Sequence, residues 1–154
     1  MRWRRALLSA MCAGAAAAAV AQSAATPAEG SSKDGVFIHI SHGTDDAHRL
    51  LMAMKMATIM AESVRPVLVY CDVKAVTLLV KDGPDVSMEG FLPAKTQLAA
   101  MLKAGVRVRA CPTCLQVAGS RGDVLATGVA LANRDEFFSF TKGRILTNDK
   151  CSTH

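Results

Sequence analysis

The run PVLVYC at residues 66–71 constrains the fold more than any other stretch of the chain. A nearly continuous apolar run without polar alternation is the pattern of a strand buried on both faces of a parallel sheet. Parallel neighbours cannot be joined by a tight hairpin, so such a strand demands crossover connections of a dozen or more residues, usually helices. The surrounding sequence supplies them on either side.

Residues 36–40 (VFIHI) read as an earlier strand, followed by the turn and helix-capping residues Gly43, Thr44, Asp45 and Asp46. A helix is expected over residues 46–63, where Leu50, Leu51, Met52, Met54, Met56, Ile59 and Met60 cover most of the circumference. Only the stripe of His48, Lys55 and Glu62, with Thr58 beside it, is polar. One apolar face is enough to pack on a sheet, so the excess predicts a neighbouring helix or a second subunit. Downstream, residues 75–80 read as a short helix, 82–94 as a loop, 96–103 as a helix closed by Gly105, and 106–110 as a strand. The remainder reads as a short helix over 115–120, a strand within 124–131, a helix over 134–141 and a last strand at 144–147. This alternation predicts an α/β three-layer sandwich: a mostly parallel sheet of about five strands, right-handed crossovers and helices on both faces. In such sheets, ligands collect at the carboxyl ends of the strands.

At the front, residues 1–5 (MRWRR) are basic and residues 6–21 are uncharged and alanine-rich, too short and weakly apolar for a membrane span. Ala19-Val20-Ala21 supplies the small-x-small pattern of signal peptidase, so residues 1–21 read as a cleaved signal peptide and the destination as periplasmic or secreted. Arg4-Arg5 also satisfies the minimal twin-arginine pattern, which leaves two export routes open. Residues 22–34 read as a flexible lead-in, 35–150 as the folded domain and 151–154 as a tail. The net charge of +5 is concentrated in the leader. The 18 basic residues less Arg2, Arg4 and Arg5 leave 15 against 13 acidic, a net of +2, which removes the case for nucleic-acid binding. No stable membrane anchor is expected. Gly119-Ser120-Arg121-Gly122 lacks the spacing of a phosphate-binding loop, and no feature demands an organic cofactor or a metal.

Cys111-Pro112-Thr113-Cys114 is the strongest local signal for chemistry. Two cysteines at a strand-to-helix junction can close a small disulfide or ionise readily, because unpaired N–H groups at the start of a helix stabilise a thiolate. The structural alternative is a disulfide that staples the junction. A thioredoxin-like assignment fits poorly, since the pair comes late in the chain and Pro112 is the last proline, leaving none for a downstream cis-proline loop. A Cys3His zinc site from Cys71, Cys111, Cys114 and His42 is geometrically open, although only one cysteine pair is present. His42, Asp72 and Lys74 each follow a predicted strand and fall on the same sheet edge as the pair, with helix capping as the alternative for His42 and Asp72; Arg109 and Arg121 would add positive charge. His39 reads as a packed or surface residue, Cys71 as a small buried apolar one, and Cys151 as exposed, free or available for an intermolecular link.

Together the segments GVFIHISHGTDDAHR, VLVYCDVKAV, KTQLAAMLKAGVRVRACPTCL and FFSFTKGRILT, with the Met-rich helix between the first two, resemble the DsrE/DsrF-like sulfur-relay family, which has DsrE, TusD and YchN-type members. The resemblance spans nearly the whole chain after the leader. It implies homo-oligomers, often trimers or hexamers, and a reactive cysteine that accepts sulfur as a persulfide. Single-cysteine members keep a cysteine shortly before an Arg-Gly pair, and by that spacing from Arg121-Gly122 the matching residue is Cys114, with Cys111 as resolving partner. The first cysteine of CxxC oxidoreductases is usually the nucleophile, which would be Cys111 instead. The resemblance therefore implies a sulfur carrier or sulfurtransferase whose partners are sulfur-donor and sulfur-acceptor proteins or small sulfane-sulfur compounds. A thiol–disulfide relay through the CPTC pair and a noncatalytic oligomeric binding protein stand as alternatives. The relay members work in a reducing cytoplasm, whereas this chain reads as exported, where an exposed cysteine pair tends to oxidise.

Overall fold

Alternating strands and helices shape the computed structural model, which describes residues 34–63, 65–142 and 145–148. The strands are β1 (Asp34–Ile40), β2 (Val67–Cys71), β3 (Arg107–Ala110), β4 (Ala130–Leu131) and β5 (Ile145–Asn148). The helices are α1 (Ala47–Glu62), α2 (Ala94–Lys103), α3 (Pro112–Val117) and α4 (Arg134–Thr141), with 3-10 turns at Ala75–Leu79 and Gly122–Val124. The strands form one sheet in the order β4-β3-β2-β1-β5, and every pairing is parallel. The expected signal segment 1–21, most of the lead-in, and the tail with Cys151 lie outside the described residues.

From β1 to β4 the chain steps in one direction across the sheet, so right-handed crossovers bring α1 and α2 to one face, where they pack on each other. The return from β4 to β5 runs the opposite way and brings α4 to the other face. The first face is the core: Ile38, Ile40, Val69, Cys71, Val108 and Ala110 are almost fully buried, under Leu50, Leu51, Met54, Leu98 and Met101. The second face differs. Leu68 is buried there, but His39, Tyr70 and Arg109 are only half-buried, because a single short helix covers them. PVLVYC is thus buried completely on one face and partly on the other, a milder outcome than burial on both.

Asp46 starts α1 by accepting a hydrogen bond from the Arg49 N–H at 3.0 Å. The apolar excess of α1 is partly absorbed by α2, yet Met52 and Ile59 remain exposed. Two elements depart from the sequence reading. The strand expected within 124–131 is only Ala130–Leu131, because Gly122–Val124 is a 3-10 turn and Leu125 instead makes an isolated antiparallel bridge to Val80. The helix expected from 115 begins at Pro112, whose fixed φ suits the first helical position. Asp34, assigned to the lead-in, opens β1.

Register fixes where the site lies. Cys71 pairs with Ile40 on one side and Ala110 on the other, so the carboxyl ends of β1, β2 and β3 are level. Residues 41–42, 72–74 and 111–114 therefore share one edge. Gly43 permits a close approach there, since a Cβ on it would meet the Lys74 carbonyl oxygen at 2.7 Å. Among the described residues no helix is long and apolar enough to cross a membrane.

Candidate functional site: the CPTC pair at the sheet edge

Cys111 leaves β3 and serves as the N-cap of α3; its Sγ accepts a hydrogen bond from the Cys114 N–H at 3.3 Å, and its own N–H donates to the Cys71 carbonyl at 2.9 Å. All three described cysteines, Cys71, Cys111 and Cys114, are free thiols. Burial of Cys111 opposes its ionisation. Hydrogen bonds from the Cys114 thiol and the Tyr70 hydroxyl, then from the N–H groups of Cys114 and Thr113, outweigh that burial and hold the Cys111 thiol below its ordinary range.

Cys114 behaves in the opposite way. Its hydrogen bond to the Cys111 sulfur, then burial and the charges of Cys111 and Asp72, push the thiol up, against a favourable hydrogen bond from the Val73 N–H. Val73 aims that N–H from a left-handed backbone conformation, φ 44°, which costs a β-branched residue about 1–3 kcal/mol. The Val73 side chain is 58% exposed, so packing gives no reason for the strain. Cys71 is buried in the core, and burial pushes its thiol up to about 12, which leaves it inert.

Asp72 belongs to the site as well. His39 Nε2 lies 2.7 Å from Asp72 Oδ2, with Ser41 Oγ 3.2 Å from the same nitrogen, and the His39 ring tilts against Tyr70 at 5.6 Å between centroids. Burial, then hydrogen bonding to Cys111, push the Tyr70 phenol up, so it remains a donor. His42 and Lys74 share the edge but gather around a different residue. His42 Nδ1 donates to Asp45 at 3.0 Å, its Nε2 accepts from Arg49 at 2.7 Å, and Lys74 Nζ is 3.5 Å from Asp45. The Gly43 N–H, then His42, then Lys74 hold the Asp45 carboxyl well below the usual carboxylate range. Arg121 is exposed at the start of a 3-10 turn and its side chain makes no hydrogen bond or ion pair with the described residues. Nor do Cys71, Cys111, Cys114 and His42 converge: among the described residues no cluster of three His, Cys, Asp or Glu side chains could hold a metal ion.

On the α4 face a cavity of about 550 Å³ opens onto Cys111, Pro112 and Thr113. Phe37, Leu68, Tyr70 and Phe137 form much of its wall. Arg109 also lines it, but Glu136 grips the guanidinium through both carboxylate oxygens, one at 2.6 Å from Nη2. The sequence reading does not single out Tyr70 for the site and takes His39 as a packed or surface residue. Strand alternation carried the signal, since Phe37, His39 and Tyr70 point to the face opposite Ile38, Val69 and Cys71.

No family model matches the chain. No curated protein matches it either. Solved structures do. The ychN protein from E. coli superposes with a TM-score of 0.61 at 18% identity over 75% of this chain and 98% of that one. MTH1491, a protein of unknown function from Methanobacterium thermoautotrophicum, gives 0.57 at 22% identity over 75% and 98%. BT1422, a conserved protein of unknown function from Bacteroides thetaiotaomicron, gives 0.51 at 15% over 75% and 94%. At these identities the likeness is one of fold, and the chain shares the fold of the ychN protein.

Proposed function

We propose that this protein carries sulfane sulfur as a cysteine persulfide and passes it to a partner thiol, with Cys111 as the attacking thiolate and Cys114 as the resolving thiol. The observation that carries the reading is the setting of Cys111, an N-cap thiol that accepts the Cys114 N–H at 3.3 Å and faces a cavity at the carboxyl edge of the sheet. The resemblance to sulfur-relay proteins supports the same chemistry. Spacing to Arg121-Gly122 points to Cys114 as the carrier, but its thiol is held up and does not line the cavity, which favours Cys111.

In the loading step the Cys111 thiolate attacks the sulfane sulfur of a donor, a bond forms from Sγ to that sulfur, and the donor's S–S bond breaks with its electron pair leaving on the remainder. In the delivery step a partner thiolate attacks the outer sulfur and Cys111 leaves as thiolate. Neither step needs an outside oxidant or reductant. The hydrogen bonds that favour the thiolate make Cys111 both a competent nucleophile and a good leaving group. Export through residues 1–21 belongs to this reading, as does a homo-oligomer, for which the exposed Met52 and Ile59 on α1 speak.

A second reading, a thiol–disulfide relay, draws on the closeness of the two cysteines, with the Cys114 N–H 3.3 Å from Cys111 Sγ. Once Cys111 carries a persulfide, attack of the Cys114 thiolate on Cys111 Sγ would break the S–S bond, expel the outer sulfur as hydrosulfide and close the disulfide. Reduced protein loaded with isotopically labelled polysulfide, desalted and mixed with an acceptor thiol separates the two. Label recovered as acceptor persulfide supports the carrier; label released only as hydrosulfide, with loss of two hydrogens from the protein, supports the relay.

A further inference from the structure

Three features of the cavity on the α4 face bear on what it binds. Its volume of about 550 Å³ falls in the range of small-molecule sites, roughly 300–1,000 Å³, and far exceeds what an inorganic sulfur anion fills. The wall is mostly carbon, from Phe37, Leu68, Tyr70, Pro112 and Phe137. The charges facing it cancel: Arg109, 18% exposed at its side chain, is held by Glu136, 20% exposed, through two hydrogen bonds. His39, also on the wall, is committed to Asp72. Arg134 is the remaining cation on the wall, and its side chain is 82% exposed at the solvent edge.

A doubly charged inorganic donor entering this space would lose hydration without a free cation deep in the cavity to replace it, and it would approach both the Cys111 thiolate and Glu136. A donor with an apolar body gains from the same walls. We infer that the cavity is the binding site for a small organic sulfane-sulfur compound, one with an apolar or aromatic body that lies against Phe37, Leu68 and Phe137 while its sulfane sulfur meets Cys111. This inference rests on the carrier reading and adds the class of donor to it. With an organic persulfide the step balances: the outer sulfur bonds to Cys111 Sγ, the donor S–S bond breaks, and the organic thiolate leaves and takes a proton from water.

Thiosulfate and benzenethiosulfonate form a matched pair of probes, since the second replaces one anionic oxygen by a phenyl ring and both surrender the same sulfane sulfur. Sulfur loading of the full-length reduced protein by each is followed by intact mass. The ratio of the two rates is compared with the ratio for a simple thiol in solution. Burial of a phenyl group predicts a ratio about ten- to a hundredfold above that of the free thiol. Ala132→Phe, which fills the cavity from a half-buried position, and Phe137→Ala, which removes a wall, should each bring the ratio back towards the free-thiol value. A wild-type ratio equal to that of the free thiol, with adducts from both donors, overturns the organic-donor inference and leaves the carrier standing. Absence of any adduct from either donor overturns the carrier reading itself.

Discussion

Asp72 holds His39 through Oδ2, 2.7 Å from Nε2, while its Oδ1 is buried without a hydrogen-bond partner among the described residues. The carboxylate sits between Cys71, whose thiol it helps to hold up after burial, and Val73, whose N–H reaches Cys114. Its negative charge is one of the causes that keep Cys114 protonated, behind the hydrogen bond to Cys111 and burial. Asp72→Asn removes that charge and keeps the shape. Cys114 should then alkylate faster near neutral pH, read by peptide mapping after a timed pulse of iodoacetamide. An unchanged Cys114 rate would mean that the carboxylate does not act on this thiol.

Tyr70 has the opposite influence on the other sulfur. Its hydroxyl is one of the donors that offset the burial of Cys111 and favour the thiolate. Tyr70→Phe should shift the pH midpoint of Cys111 alkylation upward and slow loading below that midpoint. At high pH, where the thiolate forms without help, the two proteins should load at similar rates. A Tyr70→Phe profile that overlays the wild type would remove Tyr70 from the site.

Glu136 ties α4 to β3 by its paired hydrogen bonds to Arg109, with Arg107 Nη1 a further 3.6 Å contact. The Arg109 hydrogen bond, against some burial, lowers the Glu136 carboxyl from its usual 4.5. Because the folded value lies below the unfolded one, the stabilisation is complete above about pH 4.5 and is lost as pH falls through the folded value. Glu136→Gln should cost about 1.5–3 kcal/mol near pH 7, the worth of a charged hydrogen-bonded group, and less at an acid pH below the lowered folded value. Urea unfolding at the two pH values measures both. A cost that does not change with pH would show that packing, not charge, is what the substitution removes.

Val73→Gly tests whether the left-handed turn beside Cys114 is strained. Relief of about 1–3 kcal/mol, less about 0.5–1 kcal/mol for the added chain entropy of glycine, predicts a net change between about 0 and +2.5 kcal/mol in urea unfolding. A clear loss of stability would mean that the exposed valine side chain packs more than its surroundings indicate.

Much of this architecture is legible in the sequence. The Asp46 cap, the helical spacing of Leu50, Leu51 and Met54, and the closing Gly105 are local signals, and α1 and α2 fall within a residue or two of where the sequence puts them. The stretch 124–131 misleads because its small and β-branched residues suit a strand, while the bridge from Leu125 to Val80 depends on a partner 45 residues away that local composition does not reveal. CPTC is legible as a motif. The surroundings of its two thiols are not, because Tyr70, which acts on Cys111, comes from β2 and the pairing of Asp72 with His39 spans 33 residues. Strand order puts His42 and Lys74 at the level carboxyl ends of the strands, and Asp45 draws them into a cluster of their own.

The central claim is that Cys111 holds the transferred sulfur. Intact mass spectrometry of the reduced protein after exposure to polysulfide, with Cys111→Ser and Cys114→Ser in parallel, tests it most directly. The account predicts one added sulfur atom in the wild type, the same and longer-lived adduct in Cys114→Ser, where no resolving thiol remains, and none in Cys111→Ser. Sulfur retained in Cys111→Ser and lost only in Cys114→Ser would contradict the account and move the carrier to the second cysteine.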